Sequence, residues 1–457
     1  MTELTQKPSA DPRYDPATGP VVPVFIRYAI PSVLGMLAVT SAGIIDGFFI
    51  GNYVGATALA AVNIAQPAWV AFTGIVFMLA VGGSVVCARF LGARNGPAAS
   101  AIFTRTLIAA CATGLLVSAL GLIFLDRLVG LLGANEVLRP FVTSYMRVIL
   151  WFAPIFVTAL TMDYFVRADG RPVLAAAALV AFAGINICLN ALFVGHLGWG
   201  IVGAAWASAI AEIAIFLILL SHWFSAQCTL GLSLSYGGWK DLLGAAWNGF
   251  SEFANELSIG LLVLLFNWVM ITRQGVEGVA AYTVIGYLMM IGLEITYGIS
   301  ESLQPTISRN LGAGKPERIR KFLVTAVSAA FLVGLLVSTL MLVFPQQLIG
   351  LFLREGEQGT LSIALAFVSL FWPAFLLNGT NITLASYFTA LHRPMASATI
   401  ALSRSFILPG LGLLFLPLWM GDSGVYLAIP IAELITFALA LILVLRVKPR
   451  LMKTTET

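Results

Sequence analysis

The stretch Arg89-Phe90-Leu91-Gly92-Ala93 returns 220 positions later as Arg309-Asn310-Leu311-Gly312-Ala313. Shorter pairs recur at nearly the same offset, namely Gly55 and Gly275, Tyr164-Phe165 and Tyr387-Phe388, Arg171-Pro172 and Arg393-Pro394, and Ala211-Glu212 and Ala432-Glu433. Because these pairs follow one another in the same order along the chain, we infer that the protein contains two copies of one structural unit.

The composition indicates that a lipid bilayer is the solvent of this chain. Hydrophobic residues make up 59% of it and charged residues only 10%, against about 25% charged in soluble domains. Apolar stretches of about 20 residues are long enough to cross a bilayer as helices. We predict an all-α integral membrane protein with twelve such helices, near residues 24–51, 58–86, 101–125, 139–164, 173–195, 201–224, 242–271, 279–304, 321–345, 360–389, 395–418 and 424–446.

The distribution of basic residues predicts the orientation in the membrane. Most of the 25 Lys and Arg residues fall in loops on one side, whereas Arg127, Arg139, Arg273 and Arg354 fall on the other. The positive-inside rule then places both termini in the cytoplasm. Since six is an even number of crossings, both copies of the repeated loop lie on that side. The repeats are therefore parallel, and we expect each to form one six-helix lobe.

The same pattern divides the chain into five segments. We predict a cytoplasmic N-terminal tail at 1–23, an N-lobe at 24–224, a cytoplasmic linker at 225–241, a C-lobe at 242–446 and a cytoplasmic C-terminal tail at 447–457. The concentration of basic residues in the loops on one side of the membrane accounts for the net charge of +4, so we expect no nucleic-acid partner. The four cysteines and three histidines show no metal-ligand or redox spacing, so we predict no metal, no cofactor and no enzyme activity.

A polar layer in the first half is the leading candidate site. Asp46 lies about six residues before the outer end of the first helix, roughly 9 Å below the surface. Asn190 and Ser208 lie at a similar depth on helices five and six, and Asn186 and Glu212 lie one turn deeper on the same faces. An acid in a membrane helix is costly unless it is paired, hydrated or protonated. We therefore predict that this layer holds a proton or a small cation such as Na⁺.

Helix packing offers a second interpretation of the same residues. Asn and Ser often hydrogen-bond across membrane helices without further function, so this alternative stays open for Asn186, Asn190 and Ser208. It is weaker for Asp46, because an acid is a costly way to join helices. It stays open for Glu212, because the second copy also carries an acid at the equivalent position.

Pro31 lies fifteen residues before Asp46 in the same predicted helix. A proline inside a helix frees a backbone carbonyl and permits a bend. We therefore predict that titration of Asp46 favours one of two shapes of helix one.

The second half carries acids of its own. Glu252 and Glu256 lie one turn apart on helix seven, and two carboxylates on one stripe repel each other. We predict that Glu256 is the functional acid, because Glu252 lies closer to the cytoplasmic end, where water reaches it.

A central cavity is predicted from helix eight. Glu294, Tyr287, Met290 and Tyr297 lie along this helix, and aromatic rings and thioethers suit flat lipophilic cations. Ordinary helix packing explains the two rings and the methionine equally well.

Four other charged side chains have simpler interpretations. Asp163 and Arg167 are one turn apart and are predicted to form a local ion pair. Glu301 is predicted to pair with a loop arginine. Arg404 lies within helix eleven and must face a partner or water, but the sequence does not identify the partner.

Four stretches, taken in order, resemble the multidrug and toxic compound extrusion (MATE) family, with a character closer to its bacterial branches. They are DGFFIG from Asp46, NICLNALFV from Asn186, GAAWASAIAE from Gly203 and SRNLGAGKPERIRK from Ser308. The resemblance spans essentially all twelve helices. It implies two lobes that form a V, and export of organic cations and drugs in exchange for inward H⁺ or Na⁺.

The resemblance also implies roles for individual residues. Asp46, Asn186, Asn190 and Ser208 match the cation site of the family's first lobe, and Glu256 matches the acid of its second lobe. This sequence departs from the pattern at Asn190, where many bacterial members have Asp, and at Ser208, where Thr is usual. The implied first-lobe site therefore contains one acid rather than two.

The sequence thus predicts a monomeric multidrug efflux antiporter of the bacterial inner membrane. Its partners would be small-molecule drugs or organic cations and membrane lipid, and its coupling ion H⁺ or Na⁺. A lipid-linked oligosaccharide flippase is one alternative, for which we expect a strongly cationic cavity that binds pyrophosphate. An intramembrane enzyme is a weaker alternative, because it needs a nucleophile, a base or a metal cluster.

Overall fold

The computed structural model of the chain describes residues 12–353 and 357–446, so residues 1–11 of the predicted N-terminal tail, Arg354 and the predicted C-terminal tail lie outside the described residues. Every regular element in the described ranges is a helix. The membrane helices are α1 (Val21–Val54), α2 (Ala56–Gly92), α3 (Gly96–Ile123), α4 (Arg139–Ala168), α5 (Pro172–His196), α6 (Gly200–Phe224), the helix Trp239–Gly312 that contains α7 and α8, α9 (Pro316–Val343), α10 (Gln358–Ala390), α11 (Pro394–Met420) and α12 (Asp422–Arg446). Short helices at Leu125–Leu131 and Pro345–Gly350 follow α3 and α9.

A glycine divides the longest helix into two membrane crossings. The helix Trp239–Gly312 has 74 residues, about 110 Å at 1.5 Å per residue, whereas a bilayer core is about 30 Å thick. Its backbone breaks at Gly275, where φ is 66°, a conformation that glycine adopts without steric cost. We number the two parts α7 (239–274) and α8 (276–312). The described ranges therefore contain twelve membrane helices, which confirms the predicted all-α fold.

The two copies of the repeated sequence meet each other in space. We call the end of the bundle that carries residues 93–95 and 313–315 the repeat-loop end. A Cβ atom on Gly92 would lie 2.0 Å from the carbonyl oxygen of Arg309, and one on Gly312 would lie 1.9 Å from that of Arg89. No side chain fits at either position, so glycine in both copies allows α2 and α8 to touch through their backbones.

The first helix of each repeat also packs into the opposite lobe near this end. Val24 and Phe25 of α1 belong to a buried cluster with residues of α8, α9 and α10. Leu242 and Ala245 of α7 belong to a cluster with residues of α2, α3 and α4. Burial of this apolar surface holds the lobes together at the repeat-loop end. Farther from it, each lobe has a separate core of its own.

Three π-helical turns interrupt the α-helices. They are Ile50–Val54 at the end of α1, Ala191–His196 at the end of α5 and Ser403–Ile407 within α11. Such turns occur frequently at functional sites, because they displace the side chains around them. The first begins four residues after Asp46, the second directly follows Asn190, and the third contains Arg404.

Candidate functional site

The structure brings four of the five residues of the predicted polar layer together and leaves Glu212 apart from them. The Asn186 side-chain amide donates to Ser208 Oγ at 3.1 Å. The Asn190 amide donates to the Asn186 carbonyl oxygen at 3.1 Å and to Asn186 Oδ1 at 3.2 Å. Asp46 approaches from α1, and its carboxyl group lies next to the Asn190 side chain. Three helices, α1, α5 and α6, therefore contribute to one polar site.

Two oxygen atoms in this layer have no donor. Asp46 Oδ1 and Asn190 Oδ1 are buried, and neither receives a hydrogen bond from the described part of the chain. Two unpaired acceptors are costly in a buried site, and a proton on Asp46 or a small cation would satisfy them. The available ligands are carboxylate, amide and hydroxyl oxygens, which hard cations prefer. The side chains of this layer are therefore suited to bind H⁺ or Na⁺.

A central cavity of about 750 Å³ lies between the lobes, within the size range of drug-binding pockets. Aromatic and apolar side chains line much of it, among them Trp69, Phe156, Phe182, Met290 and Tyr297. Its charged lining residues are Asp163, Glu212, Glu252, Glu256, Glu294 and Glu301, together with Arg167 and Arg404. Acids thus outnumber bases six to two among the described lining residues.

The predicted helix-eight and second-half residues divide between the cavity and the surface. Glu252, Glu256, Glu294, Met290 and Tyr297 line the cavity, and Gln304 donates to Glu252 Oε1 at 3.3 Å. Tyr287 lies elsewhere. Its side chain is 50% exposed and stacks on Phe352, with ring centroids 5.7 Å apart.

An ion-pair network joins the lobes at the repeat-loop side of the cavity. Arg167 of α4 forms ion pairs with Asp163, at 2.7 Å, and with Glu301 of α8. The Tyr164 hydroxyl donates to Glu301 Oε1 at 2.7 Å. The Asp163–Arg167 pair agrees with the expected local pair, and the partner of Glu301 is a helix arginine of the other lobe rather than a loop arginine.

The structure also identifies the partners of Arg404. Its guanidinium donates to Asn255 Oδ1 at 3.2 Å, and its Nε lies 3.6 Å from Glu433 Oε1. Glu433 is 1% exposed and accepts hydrogen bonds from Asn378 at 2.5 Å and Asn381 at 2.7 Å. The positive charge of Arg404 is thus matched by a buried carboxylate beside the cavity.

Three side chains of types that bind metals lie close together near the linker, although their spacing in the sequence gives no sign of it. Ligand atoms of Asp169, His222 and Cys228 lie within 4.8 Å of one another. Asp169 Oδ2 already contacts His222 Nε2 at 2.8 Å and accepts from the Thr229 backbone at 2.9 Å. Burial raises the pKa of Cys228 to about 11, which keeps the thiol protonated. A guanidinium nitrogen of Arg171 lies 3.4 Å from His222 Nδ1. These hydrogen bonds anchor the linker to the ends of the helices.

Some site residues gave no signal in the sequence. Asn255, Asn378 and Asn381 are single amides within apolar helices, and their importance follows only from the charges that they contact. Gln304 becomes relevant in the same way, through its contact with Glu252. The spacing along one helix does not reveal contacts made with another helix.

Fold and site together define a two-lobed, helical membrane transporter with a central acidic cavity. The profile of the MatE family matches residues 31–192 and 255–412. The chain belongs to this family, whose members are transporters rather than enzymes and use ion gradients rather than tightly bound cofactors.

Curated relatives and solved structures are similar to the chain over nearly its whole length. It is 27% identical to the FAD transporter of Shewanella oneidensis over 446 residues, covering 93% of this chain and 94% of the relative. It is 22% identical to the multidrug export protein MepA of Staphylococcus aureus, covering 94% and 95%. A MOP superfamily transporter from Pyrococcus furiosus has the same fold, with a TM-score of 0.87, 22% identity and coverage of 95% and 97%.

Proposed function

We propose that the protein is a secondary antiporter that exports lipophilic organic cations in exchange for H⁺ or Na⁺. The observation that carries this proposal is the charge of the cavity. Arg167 is paired with two acids and Arg404 with one. Four lining acids, Glu212, Glu252, Glu256 and Glu294, remain without a cationic partner among the described residues. A low-dielectric cavity with unpaired acids attracts cations.

The coupling ion is assigned to the layer around Asp46. Binding of H⁺ or Na⁺ there satisfies two buried acceptors, Asp46 Oδ1 and Asn190 Oδ1, and reduces the cost of packing α1 against α5. An ion drives a conformational change only if it binds one state more tightly than the other. A change in the packing of α1, which contains Pro31, supplies this difference. Glu256, which faces the cavity from α7, is the proposed second-lobe acid.

The orientation follows from the loops. With the basic loops inside, both termini and the repeat-loop end are cytoplasmic. The backbone contacts of Gly92 and Gly312 then close the cytoplasmic side. In this state the cavity releases the substrate to the outside. We assign residues 24–224 and 242–446 to the two lobes, treat 225–241 as the linker, and propose that a monomer in the lipid bilayer is the working unit.

Anionic substrates fit this cavity poorly. The similarity to an FAD transporter suggests a dinucleotide, and a flippase would carry a pyrophosphate. Both ligands need exposed cationic groups, whereas the two lining arginines, Arg167 and Arg404, are held by acids. The charge of the described lining residues therefore favours organic cations over either anion.

Reconstituted vesicles test the proposal. Ethidium efflux is measured with a pH gradient and a Na⁺ gradient imposed separately, and FAD transport is measured in parallel. We expect one gradient to drive ethidium uphill and neither to move FAD. Gradient-driven FAD transport without ethidium transport would contradict the proposal.

A further inference from the structure

Glu212 and Glu433 occupy equivalent positions in the two repeats but opposite environments. Glu433 is buried in the C-lobe, where Asn378, Asn381 and Arg404 bind its carboxylate. These contacts satisfy both oxygens and balance the charge, as a buried carboxylate requires. Glu433 is therefore a structural acid.

Glu212 has none of these compensations. It lines the central cavity, and no side chain within 12–353 or 357–446 hydrogen-bonds or ion-pairs with it. In particular, no hydrogen bond joins it to the layer formed by Asp46, Asn190 and Asn186. An acid without a partner in a largely apolar cavity wall is destabilising, so Glu212 is suited to bind a ligand that supplies the missing charge.

The surroundings of Glu212 define the chemistry of that ligand. Its helix, α6, packs against both α4 and α5. The cavity wall on this side carries Phe156 from α4, Phe182 from α5 and Trp69 from α2. The rings of Trp69 and Phe156 pack with centroids 4.6 Å apart. Aromatic faces attract diffuse organic cations but offer no oxygen ligands to a metal ion.

We propose that Glu212, together with Trp69, Phe156 and Phe182, binds the cationic centre of the substrate. The ligand class is a bulky monocation with delocalised or shielded charge, such as a quaternary phosphonium. This inference rests on the proposed export of organic cations, and it separates Glu212 from the coupling layer, with which the sequence pattern grouped it. One acid would bind the substrate, and another, Asp46, would bind the coupling ion.

A pair of nearly isosteric probes tests the assignment. Methyltriphenylphosphonium carries one positive charge, whereas triphenylphosphine oxide has a similar shape and none. Equilibrium binding of both is measured by calorimetry on the purified full-length protein in detergent. For Glu212→Gln we expect affinity for the cation to fall by about tenfold or more, equivalent to about 1.4 kcal/mol, with affinity for the oxide unchanged.

Matched variants make the result specific. Unchanged oxide binding shows that Glu212→Gln is folded, and Glu212→Asp, which keeps the charge, should retain most of the preference for the cation. Asp126→Asn removes an exposed acid outside the cavity and should change the preference less than twofold, well under the tenfold step of 1.4 kcal/mol. An equal loss in Asp126→Asn, or none in Glu212→Gln, would overturn the assignment and leave the proposed function intact. If the wild type binds neither probe, the proposed function fails with it.

Discussion

Substitution of Gly92 by alanine tests how the lobes close at the repeat-loop end. The new Cβ would lie 2.0 Å from the Arg309 carbonyl oxygen, whereas ordinary contact begins at 3.4 Å. Backbone atoms cannot rotate away, so α2 and α8 must separate by about 1.4 Å locally. Overpacking of this kind costs about 1–3 kcal/mol, which lowers the population of the closed form roughly 5- to 150-fold relative to the open form.

Distances between spin labels measure this shift. Pro97 and Glu317 are exposed equivalents at the starts of α3 and α9, so labels on cysteines at these positions report the separation of the lobes. Gly92→Ala should add a longer-distance population. Gly96→Ala is the matched control, because a Cβ there meets nothing within 4 Å. A distance distribution in Gly92→Ala identical to that of the wild type would refute the reasoning.

Three further substitutions test the charge network and a loop histidine. Glu301→Gln removes the carboxylate that joins Arg167 to the other lobe, and we expect it to shift the same label distances toward the open form. A Glu301→Gln protein with wild-type distances would show that the pair does not hold the lobes together. Glu433→Gln leaves Arg404 buried without its charge partner and should lower the free energy of unfolding by about 3–5 kcal/mol. Thermal unfolding monitored by size-exclusion chromatography measures the loss of stability. An unchanged melting temperature would contradict the prediction. Burial and, after it, a neighbouring arginine lower the pKa of His392 to about 3. The imidazole of the unfolded chain takes up a proton near pH 6.5, whereas that of the folded chain does so only near pH 3. The stability that the neutral His392 contributes is therefore complete above about pH 6.5. It falls by up to about 1.4 kcal/mol per pH unit as the pH drops from 6.5 toward 3. His392→Gln should therefore reduce the loss of melting temperature between about pH 7 and pH 5, and an equal loss in both proteins argues against this role.

The helices and the duplication could be predicted because a bilayer constrains both strongly. Each crossing must be apolar and about 20 residues long, so composition alone reveals it. The boundary between α7 and α8 was predicted as a gap at 272–278, and in the structure it is a break at Gly275 within one helical run. A glycine with positive φ provides the turn without a loop.

The Asp46 layer was predictable from depth along the helices. Residues at equal depth on neighbouring helices lie at one level of the membrane, and Asn186, Asn190 and Ser208 are in fact hydrogen-bonded to one another. Their role in ion coupling stays a prediction.

Contacts between charged side chains of different helices were not predictable in this way. The pairing of Arg167 with Glu301 joins the two lobes, and that of Arg404 with Glu433 joins two consecutive helices of the C-lobe. Both depend on the rotation and tilt of the helices. Tyr287 illustrates the same limit, since it lies one turn from Met290, yet it is half exposed while Met290 faces the cavity. Helical periodicity gives the stripe on which a residue lies and not what that stripe faces.

Uphill transport by Asp46→Asn is the most direct test of the coupling claim. Asparagine keeps the size and polarity of the side chain but carries no charge to bind H⁺ or Na⁺. In vesicles with an imposed ion gradient, Asp46→Asn should bind ethidium as the wild type does and fail to move it against its concentration gradient. Asp126→Asn, at an exposed acid outside the membrane helices, should behave as the wild type. Gradient-driven uphill transport by Asp46→Asn at the wild-type rate would contradict the account.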